Sequence, residues 1–123
     1  MVLVEGTGGA DLVCSNLTKR FGSIVAVDDI TLTVEAGETL GIAGANGAGK
    51  TTLFNLVAGA LRPDAGSILY GGVSIGGRRP DWICGLGLVR TFQTTATSPE
   101  QSVMENVAMA AAYGGAGRRL PLR

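Results

Sequence analysis

Gly44-Ala45-Asn46-Gly47-Ala48-Gly49-Lys50-Thr51 is the stretch on which the fold turns. It matches the pattern G-x-x-x-x-G-K-[ST], whose glycines let successive backbone N–H groups curve inward around a polyphosphate. Upstream, Thr39–Ala43 is a short apolar run of the kind that forms a buried parallel strand. Downstream the period changes: Leu53, Leu56, Val57, Ala60 and Leu61 fall on one face of a helix that begins at Gly49. Arg62 suits the C-terminal end of that helix, and Pro63 stops it. Strand, loop and helix together predict an anion site, because the first N–H groups and the helix dipole face the same point. Lys50 is expected to reach the β- and γ-phosphates, and the Thr51 hydroxyl to ligate Mg²⁺. The 123 residues include 20 glycines and two lysines, Lys19 and Lys50. With that composition, about 0.01 accidental matches are expected in a chain of this length. The plain alternative is a glycine-rich turn with an exposed lysine. The loop marks a nucleoside triphosphate site, which GTPases, nucleotide kinases and transport ATPases share, so it does not by itself name a function.

Around it, Leu12–Leu17 reads as a short strand. Ile30, Leu32 and Val34 alternate with polar residues as a half-buried strand does. Ser67–Tyr70 and Val73–Ile75 flank Gly71-Gly72, a two-residue hairpin turn. Pro80–Cys84 reads as a short helix with proline in its first turn, and Leu88–Phe92 as a further strand. Ser102 and Glu105 have capping-box spacing at the head of a helix that runs to Tyr113. Residues 1–10 read as a flexible leader: they contain Glu5 and no basic segment, which is not a signal-peptide pattern.

Composition excludes several classes. Apolar residues make up 46% and charged residues 16%, which is neither a disordered nor a coiled-coil composition. Ten basic and ten acidic residues balance, which speaks against nucleic acid as a partner. The absence of histidine removes imidazole chemistry from these residues. Cys14 and Cys84 stand far apart with no CxxC pair, so two reduced, buried thiols are expected. The longest apolar run, Val107–Tyr113, is short of the roughly 20 residues that span a bilayer.

The loop and its flanks resemble the nucleotide-binding subunit of ATP-binding cassette (ABC) transporters. Asn46 and Thr52 fit that family's version of the loop. Leu17-Thr18-Lys19-Arg20-Phe21-Gly22, Ala26-Val27-Asp28-Asp29-Ile30 and Ala36-Gly37-Glu38 look like its opening strands, and Pro63-Asp64-Ala65-Gly66-Ser67-Ile68 like its segment after the loop helix. Gly87-Leu88-Val89-Arg90-Thr91-Phe92-Gln93 and Val103-Met104-Glu105-Asn106-Val107 resemble the Q-loop region of one subfamily, the ATP-binding subunits of branched-chain amino acid importers. Thr97, Ser98 and Gln101 depart from it, being polar where large apolar residues are usual.

The resemblance implies an α/β P-loop NTPase fold of ABC type, here its N-terminal part: an antiparallel β subdomain and the incomplete start of a parallel core sheet. Residues 11–123 are then the front of a nucleotide-binding domain. It implies ATP and Mg²⁺ as cofactors. Phe21 stacks on adenine, while Gly44, Asn46, Gly47, Ala48, Gly49, Lys50, Thr51 and Thr52 hold the phosphates. Thr51 and Gln93 bind the metal, and Gln93 is the catalytic residue that reaches the attacking water. It implies membrane-spanning permease subunits as partners through the Q-loop region, a second nucleotide-binding subunit, and a cytoplasmic place on the inner face of the membrane. The family's signature sequence, its Asp-Glu strand end and its switch histidine are not among the 123 residues. A truncated chain that grips ATP without cleaving it, marginally stable and with exposed apolar faces, is therefore the expectation. A non-catalytic remnant and a small-molecule kinase are the competing readings.

Overall fold

The computed structural model describes residues 10–91 and 97–114. Its centre is an antiparallel sheet. Strands β1 (Leu12–Phe21) and β2 (Ile24–Val34) form a hairpin across Gly22-Ser23. Strand β3 (Ala65–Tyr70) pairs with the other edge of β1, and the short β4 (Val73–Ser74) pairs with β3, giving the order β2-β1-β3-β4. Gly71 and Gly72 turn the last hairpin with φ of 56° and 77°, as a type I′ turn requires.

β1 runs past Leu17, where its sequence pattern breaks. Cys14 faces Leu32 and Leu17 faces Ile30, so β1 carries one extra residue between them. Asn16, at φ 48°, sits in that bulge, and it shifts the inward face from Leu12 and Cys14 to Leu17. An opposite bulge on β2, with Asp29 at φ 49°, restores the register, and Asn16 Nδ2 donates to Asp29 Oδ1 at 2.8 Å. β2 likewise starts earlier than the alternation suggested. Ile30 is exposed, whereas Leu32 and Val34 are half-buried.

Helix α1 (Lys50–Val57) lies against this sheet with Leu53 and Leu56 buried. It ends before the expected Leu61: Gly59 takes a positive φ of 76°, and the Leu61 N–H reaches back to the Asn55 carbonyl at 3.0 Å. Arg62 therefore lies beyond the helix rather than on its last turn. Helix α2 (Pro80–Gly85) contributes Ile83 to a core shared with Leu17, Leu56, Ile68 and Ile75. Each such side chain contributes about 1.5–3 kcal/mol by leaving water. Ile75, expected on β4, lies just past it and donates its N–H to the Ile68 carbonyl at 2.9 Å.

Two expected strands carry no ladder. Thr39–Ala43 and Leu88–Thr91 are not assigned to any sheet, while Phe92 lies outside the described residues. A parallel strand exists only through hydrogen bonds to a neighbour, and an apolar sequence cannot supply that neighbour. The antiparallel part of the expected architecture is present, and the core-sheet run stands beside it unpaired among the described residues. Leu40 and Ile42 of that run face Leu12, Leu32, Leu53 and Val57 across an apolar cleft of about 40 Å³.

Helix α3 (Val103–Gly114) begins as expected. Ser102 Oγ accepts from the Glu105 N–H at 3.3 Å, and Glu105 Oε2 accepts from the Ser102 N–H at 2.8 Å. The Ser102 hydroxyl, which donates to the same Oε2 at 2.7 Å, and then the Ser102 N–H hold the Glu105 carboxyl below its usual value. Asn106 binds Ser98 through both ends of its amide, at 3.0 and 3.2 Å, and so ties the preceding loop to the helix. Cys14 and Cys84 are both free. Burial pushes the Cys14 thiol up to about 11, whereas Cys84 is only half-buried, contrary to expectation.

Candidate functional site

Residues 44–49 connect the unpaired run to α1. Gly49 is the N-cap residue at φ 86°, makes no side-chain cap, and no acidic residue occupies the first turn. The first N–H groups of α1 thus meet no capping carboxylate or hydroxyl, and they carry the positive end of the helix dipole. Lys50 folds back over the loop, and its Nζ donates to the Gly44 and Ala45 carbonyls at 2.5 and 2.6 Å. The Ala48 N–H donates to the Ala45 carbonyl at 3.2 Å and rounds the loop. Asn46, Gly47 and Ala48 are exposed, as is Thr51, and Thr52 is half-buried on the same turn.

Gly49 is also a point of contact with the sheet. A Cβ placed on it would lie 2.0 Å from the Ala26 carbonyl oxygen and 3.8 Å from Val27 Cγ2. Ala26 is the extra residue of a third bulge, because Lys19 faces Val27 while Arg20 already faces Val25. The bulge brings the Ala26 carbonyl against the loop where only a glycine fits. The hairpin is thereby fastened to the loop, and it carries Phe21 on its end, opposite Ile24. The Phe21 ring is 47% exposed, not core, and Lys19 Nζ stands 5.6 Å from its centroid.

Among the described residues, every expected phosphate-loop position and Phe21 therefore sit on elements joined at Gly49. Gln93 lies outside the described residues. The segment that leads to it is held to the loop helix, since Arg90 Nη1 donates to Asn55 Oδ1. Neither Asn55 nor the Lys19–Asp64 ion pair stood out in the sequence: each contact joins residues too distant for a motif to span, and Pro63-Asp64-Ala65-Gly66 was the one pointer to Asp64. The arginine pair Arg78-Arg79 is engaged locally, Arg78 over the Trp82 ring at 5.3 Å and Arg79 with Asp81 at 3.0 Å, which is not the clustered arginine lid of a small-molecule kinase. No group of three acidic, cysteine or histidine side chains is gathered as a metal site among the described residues. The arrangement suits a polyphosphate: uncapped donors, an exposed glycine-rich loop braced on the hairpin at Gly49, and an ammonium that can exchange two carbonyls for phosphate oxygens. A metal ion bound with that polyphosphate would find the exposed Thr51 hydroxyl within the same turn.

Residues 27–121 match the family described as ABC transporter. The ribose import ATP-binding protein RbsA of Ruegeria sp. is 41% identical over 105 residues, covering 85% of this chain and 20% of that protein. The high-affinity branched-chain amino acid transport ATP-binding protein BraF of Pseudomonas aeruginosa is 40% identical over 99 residues, covering 80% and 39%. A solved ATP-binding cassette of an ABC transporter superposes with a TM-score of 0.74 at 34% identity, covering 83% of this chain and 40% of that one. The chain thus spans about a fifth to two fifths of the length of these relatives. The ribose and amino acid proteins match equally well, so overall identity does not single out the branched-chain amino acid subfamily.

Proposed function

The chain belongs to the ABC transporter family, and on that premise we propose that it is the ATP-gripping part of an importer's ATP-binding subunit. The observation that carries this reading is the uncapped start of α1 at Gly49, pressed against Ala26, with Lys50 folded over the loop. The triphosphate enters the loop and takes the N–H groups of the first turn of α1. Lys50 Nζ leaves the Gly44 and Ala45 carbonyls for the β- and γ-phosphate oxygens, a charge-assisted exchange. Gly44, Asn46, Gly47, Ala48 and Thr52 line that cradle, and adenine stacks on Phe21. Mg²⁺, when bound, neutralises charge on the phosphate oxygens. Thr51 and Gln93 are the residues proposed to hold it, with Gln93 orienting the attacking water.

Docking on permease subunits through the Q-loop region, pairing with a second nucleotide-binding subunit, and a place on the inner face of the membrane belong to the same proposal. No helix among the described residues is long and apolar enough to cross a membrane. Branched-chain amino acids are the solute we favour, on the string Arg90-Thr91-Phe92-Gln93 and the likeness to BraF. Titration of a fluorescent ATP analogue with Mg²⁺ tests the site. Lys50→Ala is expected to weaken binding by about 10- to 100-fold, and equal affinity of the two chains would remove the reading. Hydrolysis by the 123-residue chain is expected to stay at the level of Lys50→Ala, because no group of carboxylates is gathered for the metal among the described residues and the 123 residues include no histidine.

A further inference from the structure

Asp64 is fastened to the end of β1 by three bonds. Its N–H donates to the Thr18 carbonyl at 3.0 Å. One carboxylate oxygen accepts from the Arg20 N–H at 2.7 Å, and the other from Lys19 Nζ at 2.9 Å. The Arg20 N–H, followed by Lys19, holds the carboxyl below its usual value. Two residues on, Gly66 lies close against β1, since a Cβ placed on it would stand 2.3 Å from the Asn16 carbonyl oxygen. Lys19 and Phe21, two residues apart on a strand, share a face. The Lys19 side chain is only 14% exposed and its ammonium stands over the Phe21 ring, which remains open elsewhere. With its Asp64 end open to solvent, such an ion pair contributes little to stability. What this pair does is hold a cation, otherwise on a freely rotating stem, against one aromatic ring.

We propose that Lys19 is a positioning residue for the base, set by Asp64: its ammonium draws π density from one side of the Phe21 ring, and the electron-poor ring then stacks more strongly on a purine. The inference rests on the reading of Phe21 as the base-stacking ring. It makes the base seat a three-residue unit, Asp64–Lys19–Phe21, built from both sides of the phosphate loop in sequence. The cation acts through the ring and contributes to purine binding without touching the phosphates.

Calorimetric titration of the 123-residue chain with MgATP and, separately, with inorganic tripolyphosphate separates base from phosphate. Lys19→Met is expected to weaken ATP binding about two- to fivefold and leave tripolyphosphate unchanged. Lys19→Arg restores ATP affinity, and Asp64→Asn weakens it as Lys19→Met does. Phe21→Ala is the reference. If it weakens ATP binding while Lys19→Met does not, the ring stacks without the cation and this inference falls alone. If Lys19→Met weakens both ligands together, the lysine serves the phosphates or the fold, and the inference falls as well. If Phe21→Ala leaves ATP binding intact, the stacking reading and this inference fall together. Absence of binding by the parent chain removes the nucleotide reading itself.

Discussion

β1 has a hydrogen-bonded neighbour along each edge, β2 on one side and β3 on the other, and its inward face is fully buried at Cys14 and Leu17. The run Thr39–Ala43, similarly apolar, has no ladder on either edge among the described residues, and its Leu40 and Ile42 are half-buried beside a small cleft. The phosphate loop follows directly from the unpaired run. It nevertheless takes its fixed point from the paired region, through Ala26 and Gly49. Position in the chain and mechanical support are thus separate: the loop is covalently joined to one element and braced by another.

The largest expected effect tests that brace. Gly49→Ala places a methyl group on the Ala26 carbonyl at a positive φ, and overpacking with strain is expected to cost about 3 kcal/mol or more, with loss of ATP-analogue binding. A urea midpoint within error of the parent would show that the hairpin yields and braces nothing. Next comes a direct contrast of the two regions. Leu17→Ala is expected to cost about 2–5 kcal/mol, as for a fully buried side chain. Ile42→Ala is expected to cost about 1 kcal/mol, because its side chain is only half-buried and lines the cleft. Equal losses in urea melts would mean that the unladdered run is packed as tightly as β1.

The smallest effect concerns the outer fastening of β1. Asp64 has a folded pKa below its ordinary value of 3.8, so its contribution is present above that value and fades as pH falls through the folded one. Thermal melts of the parent and Asp64→Asn are expected to differ modestly near neutrality and to converge in acid. A Tm difference that stays unchanged from neutrality until the parent itself unfolds in acid would show that ionisation of Asp64 is not what fastens the strand.

Local features were readable in advance where one short stretch carries the whole cause. Gly71-Gly72 supplies both positive φ values of its turn, and Ser102 with Glu105 supplies both halves of a capping box. The phosphate loop was readable for the same reason. β1 was read too short because the bulge at Asn16 breaks its alternation, and α1 too long because its apolar spacing continues past the break at Gly59. Thr39–Ala43 was read as a strand from its side chains, although strandedness belongs to a pair. The contacts Lys19–Asp64 and Arg90–Asn55 join distant parts of the chain, where no periodicity reports them.

The bulge at Ala26 has a consequence for how this hairpin can change length. Between Ile24 and Val27 the backbone acts as a gauge, because one residue more or fewer would present a different carbonyl to Gly49. At Gly22-Ser23 no such gauge applies, since Phe21 and Ile24 already face each other across the turn. Insertions at the tip can therefore accumulate without disturbing the phosphate cradle, while the three residues after it admit none.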